Sequence, residues 1–531
     1  MRILVTGSTS GLGMALVRRL EPQHEVHTLD THQAVSPRPM YEGDGRDREL
    51  AARVTTDCEA VIHLLPQPLR KQQRKPALPL AAPHTAPWDV LDIATRATYN
   101  LITNSPASRF ILVSTLRHFE CYPPQWAVSE NWMPRPTTDV YDLAPYLAEV
   151  VLRETARVLP VTAITLRLGE VVEAGDIDGG GPNPGWLHME DAVQAVERAL
   201  DFAPTEKEPR VGPWVFHIVG GGKHTRFPLS AASGGLGYVP RHDLAGDRPL
   251  PASDDLALPV RNAPARRVIR RVAVFGANGP FGAVAAEVLA PDHILHLTSR
   301  RPMDAVIAAD EPRNPGDPKP RLPDPPHQFS VADITDLQQV VQVTRGMDAI
   351  VNCTVQRTDP VQAFRVNMLG AYNLMQAAVQ CEIKRIVHTG PQQLSLWHRP
   401  AYSYDFSIVD DAPARPGTVL YAITKLLGQE ICRVFAEEYK LEVACLLWGQ
   451  LRSSEHLKPL AAGGFPFATS WYDTGQAILR AVMVDSYPRP FEVMHVVADL
   501  PQGVYTNDKA KRLLGWEPRD RLNTSWTRNY E

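Results

Sequence analysis

Ile3-Leu4-Val5-Thr6-Gly7-Ser8-Thr9-Ser10-Gly11-Leu12-Gly13 opens the chain. Val272-Ala273-Val274-Phe275-Gly276-Ala277-Asn278-Gly279-Pro280-Phe281-Gly282 repeats its grammar, Gly276 standing 269 residues after Gly7 (276 − 7 = 269). Each stretch is an apolar run of strand length, then a glycine turn, then a helical segment, which continues to Leu20 in the first case and to about Leu289 in the second. Gly7, Gly11 and Gly13, and again Gly276, Gly279 and Gly282, let the backbone turn tightly and approach a pyrophosphate, while the helix beyond offers free N–H groups and the positive end of its dipole. One such triplet is weak evidence; the fold is decided by the strands and helices downstream of both.

Second strands are expected to end near Asp30 and Thr298. Third strands precede Gly43-Asp44-Gly45-Arg46-Asp47 and Ala332-Asp333-Ile334-Thr335-Asp336. Ala60-Val61-Ile62-His63-Leu64 and Ala349-Ile350-Val351-Asn352-Cys353 read as fourth strands, and Phe110-Ile111-Leu112-Val113-Ser114 and Arg385-Ile386-Val387-His388-Thr389 as fifth strands. The offset grows only to 282 at Asp191 and Asp473 (473 − 191 = 282), and each half closes on a matching pentapeptide, Leu236-Gly237-Tyr238-Val239-Pro240 and Leu514-Gly515-Trp516-Glu517-Pro518. Strands alternating with helices specify parallel pairing. The expected fold class is therefore α/β, two tandem Rossmann-type doubly wound parallel sheets, each with a small C-terminal substrate-side region. The expected domains are 1–245 and 268–531, joined by a linker at 246–267.

Hydrophobic residues make up 44% and charged residues 21% of the 531, a globular composition with apolar material for two cores. A net charge of −4 sets up no basic field for nucleic acid, and no lysine-rich run marks a membrane-surface patch. The expected partner is a small molecule, with no nucleic acid and no membrane. The cluster Arg70, Lys71, Arg74 and Lys75 reads as a solvated loop within 66–88, and the proline-rich stretch 302–326 as a second segment unable to form a core element. No apolar run reaches the roughly 18 residues that span a bilayer, and the N-terminus runs directly into a strand, so a cytoplasmic protein is expected. Cys58, Cys121, Cys353, Cys381, Cys432 and Cys445 form no C-x-x-C pair, and His63, His118 and His188 lack ligand spacing, so no metal is expected.

These motifs resemble those of the extended short-chain dehydrogenase/reductase family, the NAD(P)-dependent epimerases, dehydratases and dehydrogenases, over nearly all of both halves. The second half adds Asn367-Met368-Leu369-Gly370-Ala371-Tyr372-Asn373-Leu374 and Tyr421-Ala422-Ile423-Thr424-Lys425. Its segment Tyr421 to Glu430, Trp471 and the closing pentapeptide look most like uronate dehydrogenases, which implies oxidation of a sugar acid. The resemblance implies that Tyr421 is the acid/base phenol and that Lys425, one turn on, favours phenolate and holds the nicotinamide ribose. A free tyrosine, with a pKa of about 10, is phenolate only about one time in a thousand at pH 7. The family's catalytic hydroxyl falls on Pro391, which has none, leaving Thr389 or Ser395 to substitute.

In the first half Pro145 stands at the lysine position and Leu116 at the hydroxyl position. Pro145 is expected to start a helix, leaving Tyr141 at or before its cap and this half without catalysis. Asp191 and Asp473 read as helix caps. Asp30 can accept both adenosine ribose hydroxyls, which favours NAD in the first domain, whereas Arg300 and Arg301 suit a 2′-phosphate, which favours NADP in the second. Asp44 and Asp333 complete the expected cofactor residues. The function implied is an NAD(P)-dependent oxidoreductase or epimerase acting on a sugar or sugar-acid derivative, with chemistry in the second domain. The rival is a non-catalytic dinucleotide-binding sensor or scaffold. Apolar stripes after the tyrosines, Leu147, Val150, Val151 and Leu152, and Leu426, Leu427, Ile431 and Val434, suggest that the halves pair as an intramolecular pseudo-dimer.

Overall fold

A computed structural model describes residues 1–31, 40–66, 87–173, 183–204, 212–222, 225–244, 264–265, 268–308, 316–395, 407–453, 467–500 and 503–520. The chain divides into two compact units, Met1–Pro259 and Val260–Glu531. The expected linker lies outside the described residues except at 264 and 265, and so does the cluster Arg70, Lys71, Arg74 and Lys75.

In the first unit the strands are β1 (Arg2–Thr6), β2 (Glu25–Asp30), β3 (Met40–Glu42), β4 (Ala60–Leu64), β5 (Arg109–Thr115), β6 (Thr162–Leu168), β7 (Glu170–Val172), β8 (Trp186–His188) and β9 (Trp214–Ile218). Seven of them form one sheet in the order β3-β2-β1-β4-β5-β6-β9, and β7 pairs with β8. The second unit repeats this with β10 (Arg271–Phe275), β11 (Ile294–Ser299), β12 (Gln328–Val331), β13 (Ala349–Asn352), β14 (Arg385–Pro391), β15 (Glu442–Trp448), β16 (Gln450–Arg452), β17 (Ala468–Ser470) and β18 (Phe491–His495). Its sheet order is β12-β11-β10-β13-β14-β15-β18, with β16 beside β17. Both sheets are parallel and of the doubly wound Rossmann type. Every residue of β4, β13, β14 and β15 is buried, as strands covered by helices on both faces require.

The two halves use the same fastenings. Asp47 and Asp336 cap the helices after the third strands, each accepting two backbone N–H groups. Asn100 and Asn373 reach back to the carbonyls of Gly45, Arg46 and Ile334. Asp191 and Asp473 are not the caps expected of them. The Met189–Asp201 helix is capped by His188 and the Trp471–Met483 helix by Ser470. The buried carboxylate of Asp191 instead accepts the N–H groups of Arg241 and His242, and that of Asp473 those of Arg519 and Asp520. Each therefore clamps the chain just after a closing pentapeptide, which explains why both acids and both pentapeptides recur together.

Two further expectations are corrected. Pro145 does not start a helix: Asp139 accepts the Tyr141 N–H, and the helix runs Val140–Ala156 with Pro145 inside it. A strong cap six residues upstream outweighs the missing proline donor. Part of the stretch 302–326 folds, because Met303–Ala308 forms a helix that buries Met303 and Val306, with Met303 in the second core.

Candidate functional site

In the second unit the Leu420–Tyr439 helix begins at the C-terminal edge of the sheet and carries Tyr421 and Lys425 on one face, four residues apart. It packs close to the Phe364–Leu369 segment: a Cβ at Gly428 would lie 2.3 Å from the Asn367 carbonyl oxygen. Asn367 donates to Thr424 Oγ1 at 2.9 Å and to Gln356 O at 2.7 Å, and its Oδ1 accepts the Gln356 N–H at 3.0 Å. This joins the loop after β13 to the helix that carries the phenol.

Lys425 is buried, and its Nζ donates to Thr354 O at 3.3 Å. Burial pushes its pKa down to about 8, against the opposing pull of the Cys445, Cys432 and Cys353 thiols. Burial raises the Tyr421 phenol, and the Arg357 guanidinium, 5.3 Å from the ring centroid, pulls it back. Nothing in the spacing of the sequence points to Arg357, because only the fold brings it beside the tyrosine.

Pro391 ends β14 where the hydroxyl was expected, and both possible substitutes are engaged elsewhere. Thr389 Oγ1 donates to Asn352 O at 2.9 Å, and Ser395 Oγ bonds His495 Nε2 at 3.0 Å. The side chain next to Pro391 differs from these. Gln392 is fully buried, and neither end of its carboxamide meets a partner among the described residues. A buried amide left unpaired is costly, so a ligand atom there would be favoured.

Both glycine turns fit a dinucleotide. A Cβ at Gly13 would lie 2.3 Å from Gly7 O, and one at Gly282 2.3 Å from Gly276 O, while Gly7 and Gly276 take positive φ. Gly11 and Gly279 complete the turns. Ser10 caps the first helix and takes the Gly13 N–H, whereas Gly279 at the equivalent position supplies no side-chain cap. The first turn of the second unit thus leaves more donor capacity for a phosphate. Asp30 Oδ2 holds the turn through the Thr9 N–H and hydroxyl at 2.9 and 2.8 Å. Asp44 forms a two-pronged pair with Arg46, and Asp333 Oδ1 accepts from Thr335 twice. Arg300 is exposed beyond β11, with Nη1 3.5 Å from Gln362 Oε1.

The first unit holds a different set of groups on the matching helix face. Tyr141 and Pro145 are followed by Glu149, which pairs with Arg167 at 2.8 Å and accepts from Ser114 at 2.5 Å. Burial would raise the Glu149 carboxyl, but Arg167 and His118 outweigh it and hold it below the usual range. Leu116 is buried with Phe119, Val128, Val219 and Phe227, and burial pushes the His118 imidazole down to about 4. His63 is a core histidine bonded to Thr6 Oγ1 at 2.6 Å. His188, Glu190 and His242 place ligand atoms within 4.8 Å of one another, which a sequence separation of 54 between the histidines (242 − 188 = 54) concealed. A cation there would sit at the positive end of a helix and cost His188 its cap. Among the described residues, no helix is long and apolar enough to cross a membrane.

The NAD dependent epimerase/dehydratase family model matches residues 3–183 and 272–458. The chain is similar to an L-arabinose 1-dehydrogenase (NAD(P)(+)) of Haloferax volcanii, at 24% identity over 272 residues, covering 48% of this chain and 98% of that protein. Similar solved structures include a glucuronic acid dehydrogenase from Chromohalobacter salexigens, with 21% identity, TM-score 0.40 and coverage of 48% of this chain and 87% of that one. Another is a uronate dehydrogenase from Agrobacterium tumefaciens, with 23% identity, TM-score 0.38 and coverage of 48% and 86%.

The buried ammonium makes a stability prediction. Between pH 8 and 10.5 the unfolded lysine holds a proton that the folded one has lost, so stability rises with pH across that window and sits on its lower plateau below pH 8. Lys425→Met removes the cost of burying the charge. It should stabilise the second unit at pH 7 by on the order of 1 to 3 kcal/mol, a gain that shrinks by about pH 10. Denaturant unfolding of both chains at the two pH values checks this; a less stable Met variant at pH 7 contradicts it.

Proposed function

Because the chain belongs to the NAD dependent epimerase/dehydratase family, we propose that it is an NAD(P)-dependent oxidoreductase or epimerase acting on a sugar or sugar acid, with chemistry in the second unit alone. The observation that carries this reading is the contrast along one helix face. Tyr421 and Lys425 occupy it in the second unit, while Pro145 and the Glu149–Arg167 pair occupy it in the first.

The nicotinamide ring, when bound, accepts or returns hydride. The chain's own groups handle the proton and the geometry. Tyr421 takes the proton of the substrate hydroxyl, and Lys425 donates to the ribose hydroxyls and keeps positive charge near the phenol. Thr389 and Ser395 are engaged elsewhere, and the unpartnered carboxamide of Gln392, next to Pro391, supports a role for it in orienting the substrate oxygen. The likeness to an arabinose dehydrogenase, and the uronate-dehydrogenase character of the Tyr421 segment, favour oxidation of an aldose or hexuronic acid. The missing hydroxyl at Pro391 favours the second reading, a dinucleotide sensor without turnover. Asp30 favours NAD in the first unit, and Arg300 favours NADP in the second. On the apolar stripes of the two tyrosine helices, the units would pair as an intramolecular pseudo-dimer.

Incubating the full chain with hexuronic acids and aldoses should produce reduced nicotinamide with at least one sugar; binding of dinucleotide without turnover on the whole panel would favour the sensor. Calorimetric titration should resolve two sites, with Asp30→Ala weakening the NAD site and Arg300→Ala the NADP site; equal affinity of both sites for both cofactors would sink the assignment. For the pseudo-dimer, cysteine pairs introduced across the two helices should cross-link within one chain, and cross-links only between chains would reject it.

A further inference from the structure

We propose that Arg357, in the loop after β13, is a positioning cation that poises Tyr421 to give up its proton, a task that the Tyr421–Lys425 spacing assigns to the lysine alone. The proposal rests on the reading of Tyr421 as the acid/base group, and it is carried by three observations. The guanidinium carbon stands 5.3 Å from the centroid of the Tyr421 ring, and its charge opposes the rise that burial imposes on the phenol. A cation in that position stabilises phenolate over phenol.

The second observation is how the loop is held. Gln356 Oε1 accepts the Arg357 N–H at 2.7 Å, and Gln356 is tied through its own N–H and carbonyl to the side chain of Asn367. Asn367 in turn donates to Thr424 Oγ1, three residues after Tyr421 on the same helix. A chain of four hydrogen bonds therefore sets the arginine's backbone relative to the phenol's helix, although the arginine itself is exposed.

The third observation is where the lysine charge goes. Lys425 Nζ is buried, donates to Thr354 O, and faces Cys353, Cys432, Cys445 and His388. Arg357 also pushes Lys425 toward its neutral form. Near pH 8 the lysine carries its charge only part of the time, whereas a guanidinium is always charged. Arg357 is thus the cation that stands over the Tyr421 ring, while the Lys425 ammonium is turned to the Thr354 carbonyl.

The test monitors Tyr421 directly in the full chain carrying ¹³C-tyrosine, its ring signal identified among the 15 tyrosines by its loss in Tyr421→Phe. Arg357→Gln should raise the titration midpoint of Tyr421 so that phenolate at a fixed pH falls about tenfold or more. Arg357→Lys should restore most of it. On a sugar that is turned over, the same variants should move the pH profile of kcat in the same order and leave KM for the dinucleotide near its original value. An unchanged midpoint in Arg357→Gln overturns the proposal, as does a larger shift in Lys425→Met than in Arg357→Gln. The midpoint needs no substrate, so it still decides the role of Arg357 if no sugar is oxidised and the enzymatic reading itself fails.

Discussion

One ammonium group, Lys425 Nζ, is held inside the second unit against the Thr354 carbonyl, with no carboxylate paired to it among the described residues. A lone charge in such surroundings is expensive, and a lysine shifts its pKa rather than keep it. The Leu420–Tyr439 helix must lie close enough to the sheet to bury the lysine stem, which requires Gly428 against the Asn367 carbonyl. Thr354 must present its carbonyl, which fixes the loop that carries Arg357. A side chain held at a cost to stability, at the edge where parallel strands end, is the pattern expected of a ligand site.

The first unit shows the same scaffold without that cost. Its helix face reads Tyr141, Pro145 and Glu149, where the second reads Tyr421, Lys425 and Gln429, each pair 280 residues apart (421 − 141, 425 − 145 and 429 − 149). On the neighbouring strands Thr165 corresponds to Cys445 and Arg167 to Leu447 at the same offset. Glu149 and Arg167 pair with each other, whereas Gln429 Oε1 accepts from the Cys445 thiol. The first unit therefore neutralises its buried charge internally. Breaking such a pair would leave an uncompensated buried charge.

Most of the fold was legible in the sequence because apolar runs, glycine turns and closing pentapeptides are local patterns, and each is written twice. The features that escaped depend on contacts far along the chain or, at Pro145, on a stronger cap a few residues upstream. Asp191 and Asp473 resemble caps because they stand near helix starts, but the backbone N–H groups they accept are about 50 residues away. Pro145 resembles a helix start because proline suits a first turn, but Asp139 has already supplied the cap. The Tyr421 and Lys425 spacing is visible in the helix, whereas Arg357 is not, since 64 residues (421 − 357 = 64) and a strand separate it from the phenol. Gln392 is adjacent to the anomalous Pro391, and that adjacency is the one local signal for it.

The claim on which the rest turns is that only the second unit carries chemistry. The most direct measurement is turnover of a verified sugar by Tyr421→Phe and by Tyr141→Phe, each against the unaltered chain. The account predicts that loss of the Tyr421 hydroxyl lowers kcat by about 10²-fold or more, the scale of general acid/base catalysis, and that loss of the Tyr141 hydroxyl leaves kcat nearly unchanged. Full turnover in Tyr421→Phe, or its abolition in Tyr141→Phe, would contradict it.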